Sequence, residues 1–179
     1  MPRRLLLIRH AKSDYPFGVH DHDRPLNDRG RRDAPEIGHW LERNITWPPD
    51  EPPLVLVSSA NRAQATWLLA SQRLSARWDA RDERTEPRIY EASVRSLVAI
   101  IDECPDSVTT VILVGHNPGL ASAIGSLCVE DEVHLAATEK FPTSAIAVLE
   151  AEQPWTVATG LTDAFRVAQF AVPRGREPG

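Results

Sequence analysis

The 179-residue chain is poor in cysteine and aromatic residues and has no long apolar run. Its two cysteines, Cys104 and Cys128, show no metal-binding spacing and cannot form a disulfide framework. They read as two buried thiols of a reducing compartment. Aromatics make up 6% and apolar residues 42%, which is ordinary globular composition and excludes a disordered chain. No stretch approaches the ~20 apolar residues of a membrane span. The apolar part of the start, Leu5 to Ile8, is short of the roughly 7–15 residues of a secretory signal. A soluble, cytoplasmic protein with no membrane partner is expected. The net charge of −5 argues against general nucleic-acid binding. An anionic ligand would have to be held by a local cluster of arginines. Repeats and an internal boundary are absent from the sequence. One domain over residues 1–172 is expected, with a Pro-rich tail at 173–179 free to fray.

Strand signals lie at Leu5 to Ile8, Leu54 to Val57, Val111 to Val114 and Ala145 to Leu149, with a weaker one at Thr156 to Thr159. Helical stripes run between them. Ala34, Ile37, Gly38 and Leu41 make one, and Ala65, Leu68, Leu69 and Gln72 an imperfect second. Val94, Leu97, Val98 and Ile101 make a third, and Leu120, Ile124 and Leu127 a fourth. Ser93 suits the N-cap of the third helix. Asn117 followed by Pro118 suits an N-cap with proline in the first helical position. Strands alternating with helices predict an α/β fold, a mostly parallel central sheet with helices on both faces. The polar segment Phe17 to Asn27 is expected to loop over the strand ends.

Three strands are followed at once by reactive polar residues. Ile8 leads into Arg9-His10, Val57 into Ser58-Ser59-Ala60-Asn61-Arg62, and Val114 into Gly115-His116-Asn117-Pro118-Gly119. In a parallel sheet all three would meet on one rim, where such folds bind ligands. Two arginines, two histidines and the helix starts after Asn61 and Asn117 make a cationic pocket suited to a tetrahedral dianion. A metal fits poorly there, because metal sites need carboxylates or thiolates and adjacent arginines weaken them. No metal or cofactor is expected, despite the Asp21-His22-Asp23 cluster beside His20.

With these motifs in their order, the chain resembles the histidine phosphatase superfamily, which has the phosphoglycerate mutase-like fold. Arg9-His10-Ala11-Lys12-Ser13, Ser59-Ala60-Asn61-Arg62-Ala63-Gln64-Ala65-Thr66 and Gly115-His116-Asn117-Pro118-Gly119 carry the resemblance. The family usually has glycine where Ala11 stands, a departure expected in its branch of small bacterial phosphohistidine phosphatases. Asp23-Arg24-Pro25-Leu26-Asn27-Asp28-Arg29-Gly30 and Thr143-Ser144-Ala145-Ile146-Ala147 also resemble that branch. The short spans from Arg62 to Glu91 and on to His116 leave no room for the helical insertion of the mutases. The resemblance thus implies an open pocket able to admit a side chain of a protein.

The resemblance makes His10 the nucleophile, forming a covalent phosphohistidine. Arg9 and Arg62 would hold phosphoryl oxygens and His116 would donate to one as an imidazolium. Glu91 would be the general acid, with Asp14, Asp21 and Asp23 as alternatives. Ser13 and Asn117 are further candidate substrate contacts, each equally explained by local turn or cap bonding. The implied activity is metal-independent phosphatase chemistry, with phosphohistidine in a protein as favoured substrate. A small phosphorylated metabolite or nucleotide, and a non-catalytic phosphate-binding module, are the alternatives. A bell-shaped pH profile on the acid side of neutrality would follow from a neutral His10 and a charged His116.

Overall fold

The computed structural model describes residues 2–48, 50–160 and 162–176. Its centre is a six-stranded sheet in the order β3-β2-β4-β1-β5-β6. The strands are β1 (Arg3–Arg9), β2 (Leu54–Val57), β3 (Asp82–Thr85), β4 (Thr110–Gly115), β5 (Ile146–Ala151) and β6 (Arg166–Ala171). β1, β2, β3 and β4 pair in parallel, β5 runs antiparallel to β1, and β6 is antiparallel to β5. The helices are α1 (Asp28–Asn44), α2 (Asn61–Ser71), α3 (Val94–Asp102), α4 (Gly119–Leu127), α5 (Glu132–Glu139) and α6 (Trp155–Ala158).

Alternation along β1 divides the core between the two faces of the sheet. Leu6 and Ile8 pack with Ile37 and Leu41 of α1 and with Ala63, Trp67 and Ala70 of α2. Leu5 and Leu7 face the other way, among side chains of α3, α4 and α6. Strands buried on both faces are continuous apolar runs, as in parallel sheets generally. The fold is thus the expected three-layer α/β/α sandwich. Asn27 caps α1 by accepting from the Gly30 amide at 2.9 Å, and Ser93 caps α3 by accepting from the Ser96 amide at 3.2 Å.

Several local expectations need correction. Thr156 to Thr159 is not a strand: Trp155 to Ala158 form α6, with the Thr159 hydroxyl donating back to the Trp155 carbonyl at 2.9 Å. The fully buried Trp155 ring anchors this turn. α2 turns a different face inward from the apolar stripe, burying Arg62, Ala63, Thr66, Trp67 and Ala70 and leaving Leu68 60% exposed. The reason lies in two polar members of that face. The Thr66 hydroxyl accepts from the Ala11 amide at 2.9 Å and donates to the Arg62 carbonyl at 2.6 Å, locking α2 to the residues after β1. Asn117 does not cap α4. Pro118 holds that position, while the Asn117 amide donates to the Phe141 carbonyl at 2.9 Å. The chain after Pro173 does not fray at once. Arg174 donates to Asp33 at 3.1 Å and to the Thr143 carbonyl at 2.6 Å, and the Gly175 amide to Asp33 at 3.0 Å. Residues 177–179 lie outside the described residues.

Candidate active site

Parallel register brings the three motifs together. Arg9 pairs with Gly115 and Val57 with Val114, so β1, β2 and β4 end level with one another. The ladder continues one step further, with the His10 amide bonded to the Gly115 carbonyl and the Ser58 amide to the Val114 carbonyl, each at 3.0 Å. His10 and His116 consequently stand side by side, their ring centroids 5.0 Å apart. Arg62 reaches them from the first turn of α2.

The His10 ring is held in one tautomer. Its Nδ1 lies 2.7 Å from the Ala11 carbonyl oxygen. A carbonyl only accepts, so Nδ1 carries the proton and Nε2 keeps its lone pair. Arg62 Nε donates to that lone pair at 3.3 Å. Burial is the main force holding the ring neutral, pushing its pKa from 6.5 down to about 3, with His116, Arg62 and Arg9 adding to the effect. A neutral imidazole with a directed lone pair in a cationic setting is a competent nucleophile toward phosphorus.

Two compartments share this corner. The smaller, about 180 Å³, is almost wholly polar and is walled by Arg9, His10, Lys12, Ser13, Arg24, Arg62, His116, Asn117 and Thr143, with Tyr15 at its side. The larger, about 500 Å³, opens beside it and is bounded by Asp21, Glu91, Ala92, Ser93, Pro118 and Gly119. Arg62, His116 and Asn117 border both. Around the small compartment, buried polar atoms lack protein partners: Arg9 Nε, His116 Nδ1 and Asn117 Oδ1. The remaining Arg9 bonding is to the Phe141 carbonyl, at 2.8 Å from Nη1. Two of these, Arg9 Nε and His116 Nδ1, can donate; buried donors without acceptors are costly unless something fills the space, and a tetrahedral oxyanion would satisfy both.

His116 differs from expectation. Its Nε2 lies 2.8 Å from the Ser58 hydroxyl. Burial, then Arg62, push its pKa from 6.5 down to about 4, although Asp21 opposes the shift. It is therefore neutral, not an imidazolium. Glu91 forms part of the wall of the larger compartment and precedes Ser93, outside α3. Its backbone is left-handed, with φ at 53°, a conformation that a non-glycine residue holds at some energetic cost. Asp14 and Asp23 border neither compartment. Asp21 does, but Arg24 first, then Tyr90 and Arg62, hold its carboxyl well below the usual carboxylate range. It carries no proton to give at neutral pH.

Arg24 is a site residue that the motifs did not single out. The segment from Asp14 to Pro25 leaves the sheet and returns. It is closed by the Asp14 amide on the Pro25 carbonyl at 2.9 Å and the Asn27 amide on the Lys12 carbonyl at 3.0 Å. This closure sets Arg24 opposite Ser13, donating to its hydroxyl at 2.6 Å and to the Asp14 carbonyl at 2.8 Å. The Tyr15 ring covers the guanidinium at 3.3 Å. Thr143, part of the motif before β5, also lines the small compartment, and its hydroxyl accepts from Arg29 at 2.9 Å. An arginine between aspartate and proline, where a loop meets a helix cap, was the available signal for Arg24. Among the described residues no group of His, Cys, Asp and Glu side chains is arranged to hold a metal ion.

A sandwich of this topology, with Arg-His at the end of β1 and a second histidine at the end of β4, defines a phosphate-handling α/β enzyme. The profile of the histidine phosphatase superfamily (branch 1) matches residues 5–108, and the chain belongs to that family. It is a phosphatase of the SixA-like branch. An uncharacterized protein of Mycobacterium tuberculosis is 40% identical over 152 residues, covering 83% of this chain and 89% of the relative. An uncharacterized protein of Mycobacterium leprae is 34% identical over 174 residues, covering 93% and 100%. Among solved structures, the putative phosphohistidine phosphatase SixA from Agrobacterium tumefaciens is 29% identical with a TM-score of 0.74, covering 97% of this chain and 99% of that one. The protein histidine phosphatase SixA complexed with tungstate is 20% identical with a TM-score of 0.73, covering 95% and 97%, and shares the fold.

Proposed function

We propose that this phosphatase works through a covalent phosphohistidine on His10 and acts on phosphohistidine carried by a protein. The observation that carries the reading is the His10 ring. Its Nδ1–H is spent on the Ala11 carbonyl, which leaves the Nε2 lone pair beside Arg62 in a compartment of unsatisfied donors. Tungstate, the ion bound in the SixA structure, is a tetrahedral oxyanion of the same shape as phosphate.

In the first half-reaction His10 Nε2 attacks phosphorus as the bond to the leaving group breaks. Arg9, Arg24 and Arg62 take the equatorial oxygens, and Ser13, Asn117 and His116 complete the shell. Charge spreads over those oxygens in a loose transition state, so fixed donors do most of the catalysis. The phosphoryl dianion favours a proton on His116, which burial otherwise holds neutral. Glu91, in the adjoining compartment, delivers a proton to the leaving atom. In the second half-reaction water attacks the phosphohistidine, giving its proton to the Glu91 carboxylate, His10 Nε2 leaves with its electron pair, and phosphate departs.

The larger compartment lies open beside the phosphoryl cup, and between Arg62 and His116 the helix that follows α2 is the nine-residue α3, whose cap Ser93 borders it. That openness favours a side chain on a protein. It would also admit a small phosphate ester, which is the second reading. The test is hydrolysis of a phosphohistidine protein beside a phosphoserine peptide and a panel of small esters, without added metal and with His10→Ala in parallel. Loss of phosphate chiefly from phosphohistidine, reduced by about 10³-fold or more in the variant, is the expected result. Turnover confined to a small ester moves the substrate to metabolites. Turnover that survives His10→Ala overturns the mechanism.

A further inference from the structure

The site already contains an anion. Asp21 stands on a single helical turn, Asp21–Asp23, in the wall of the larger compartment, with its side chain about half exposed. Its Oδ2 accepts from Arg62 Nη2 at 3.0 Å and from the Tyr90 hydroxyl at 2.9 Å, and its Oδ1 accepts from Arg24 Nη1 at 2.7 Å. Its backbone carbonyl accepts from Arg62 Nη1 at 2.6 Å.

The position on Arg62 matters more than the number of bonds. Nε and Nη2 form one edge of a guanidinium, the edge that grips an oxyanion with two parallel bonds. On Arg62 that edge has His10 Nε2 at one end and the Asp21 carboxylate at the other. With its carbonyl on Nη1 and its carboxylate on Nη2, Asp21 spans the adjoining edge and sets a negative charge on the arginine that reaches the nucleophilic nitrogen. Arg24 is engaged in the same way: its Nε and Nη2 go to Asp14 and Ser13, and Asp21 takes Nη1. One side chain thus holds donors of two arginines that border the phosphoryl compartment.

We propose that Asp21 is a built-in competitor for the phosphoryl site, which lowers affinity for inorganic phosphate and so hastens release of product. The inference rests on the reading that the His10 compartment takes the phosphoryl group. Two effects act in one direction. An entering dianion must share Arg62 with a carboxylate that already offsets its charge, and it meets that like charge in a partly desolvated site. The exchange leaves Asp21 partnered, because Arg24 and Tyr90 still donate to it. Without such a competitor, three arginines and two histidines would hold product phosphate tightly. Binding that is as strong for product as for the transition state gives no gain in turnover.

A purely positioning role for Asp21, aligning Arg62 on His10, predicts the opposite sign. The test titrates inorganic phosphate and orthovanadate calorimetrically into the full chain and into Asp21→Asn. Product inhibition by phosphate is measured alongside, with an aryl phosphate as substrate. The competitor predicts roughly tenfold or greater tightening of phosphate and vanadate in the variant, and an equal fall in the inhibition constant for phosphate. Asp21→Ser, which also removes the charge, gives the same shift. Unchanged or weaker phosphate binding in both variants overturns the inference while leaving His10 chemistry intact. Failure of the parent and of both variants to bind either ion overturns this inference and the functional reading together.

Discussion

Two histidines kept neutral by burial make stability depend on pH in a window where carboxylates scarcely titrate. In the folded protein His10 is held down to about 3 and His116 to about 4, both chiefly by desolvation. In the unfolded chain each takes up its proton near pH 6.5. The unfolded state therefore binds more protons as pH falls below 6.5, and stability drops. The contribution is fully present above 6.5 and is lost progressively until the folded values are reached. Each ring loses about 1.4 kcal/mol per pH unit through the middle of that window. Between pH 8 and pH 5 the loss is about 2 kcal/mol per histidine and about 4 for the pair, a large part of a typical total of 5–15 kcal/mol. The assay is urea unfolding at pH 8 and pH 5 for the parent, His10→Asn and His116→Asn. Comparing the pH difference within each protein cancels the baseline effect of each substitution. Each variant should recover about 2 kcal/mol of the acid loss. An identical loss in all three proteins refutes the buried neutral pair.

The same shifts bear on activity: kcat/KM for an aryl phosphate, corrected for the substrate's own ionisation, should show no enzymic fall between pH 7 and pH 5. An acid limb near 6.5 would mean that the nucleophile titrates as an ordinary exposed histidine. Gly30→Ala should cost about 1–3 kcal/mol or more in urea unfolding, because a Cβ there would stand 2.0 Å from the Lys12 carbonyl oxygen. Relief of that clash moves α1 away from Lys12 and Ser13, so orthovanadate binding should weaken as well. A fully stable variant with unchanged binding would contradict the close approach of α1 to the site.

How much of this was legible in the sequence follows burial. β1, β2 and β4 are continuous apolar runs because both faces of the sheet are covered, and their ends carry the residues that the register then brings together. Arg9, His10, Arg62 and His116 could be placed on one rim for that reason. β3, Asp-Glu-Arg-Thr, is exposed at all four positions on the sheet edge, so it carries no apolar signal. α5 has only His134 and Ala137 buried, too few to make a stripe. α2 misled because its inward face includes Arg62 and Thr66, chosen for what they bond and not for hydrophobicity.

The front loop was the least legible part, and it supplies Asp21 and Arg24. The loop is fixed by backbone bonds from Asp14 to Pro25 and from Asn27 to Lys12, which almost any side chains could accompany. Sequence shows a polar stretch there with charges of both signs; only the closed loop shows which charges meet. That difference has a consequence for the chemistry. The cations on the strand ends and on α2 follow from the fold itself, whereas the carboxylate opposing them is set by a segment that can vary in length and composition without disturbing the sheet. On the role proposed for Asp21, affinity for phosphate can thus be altered through the loop while His10, Arg9 and Arg62 stay fixed.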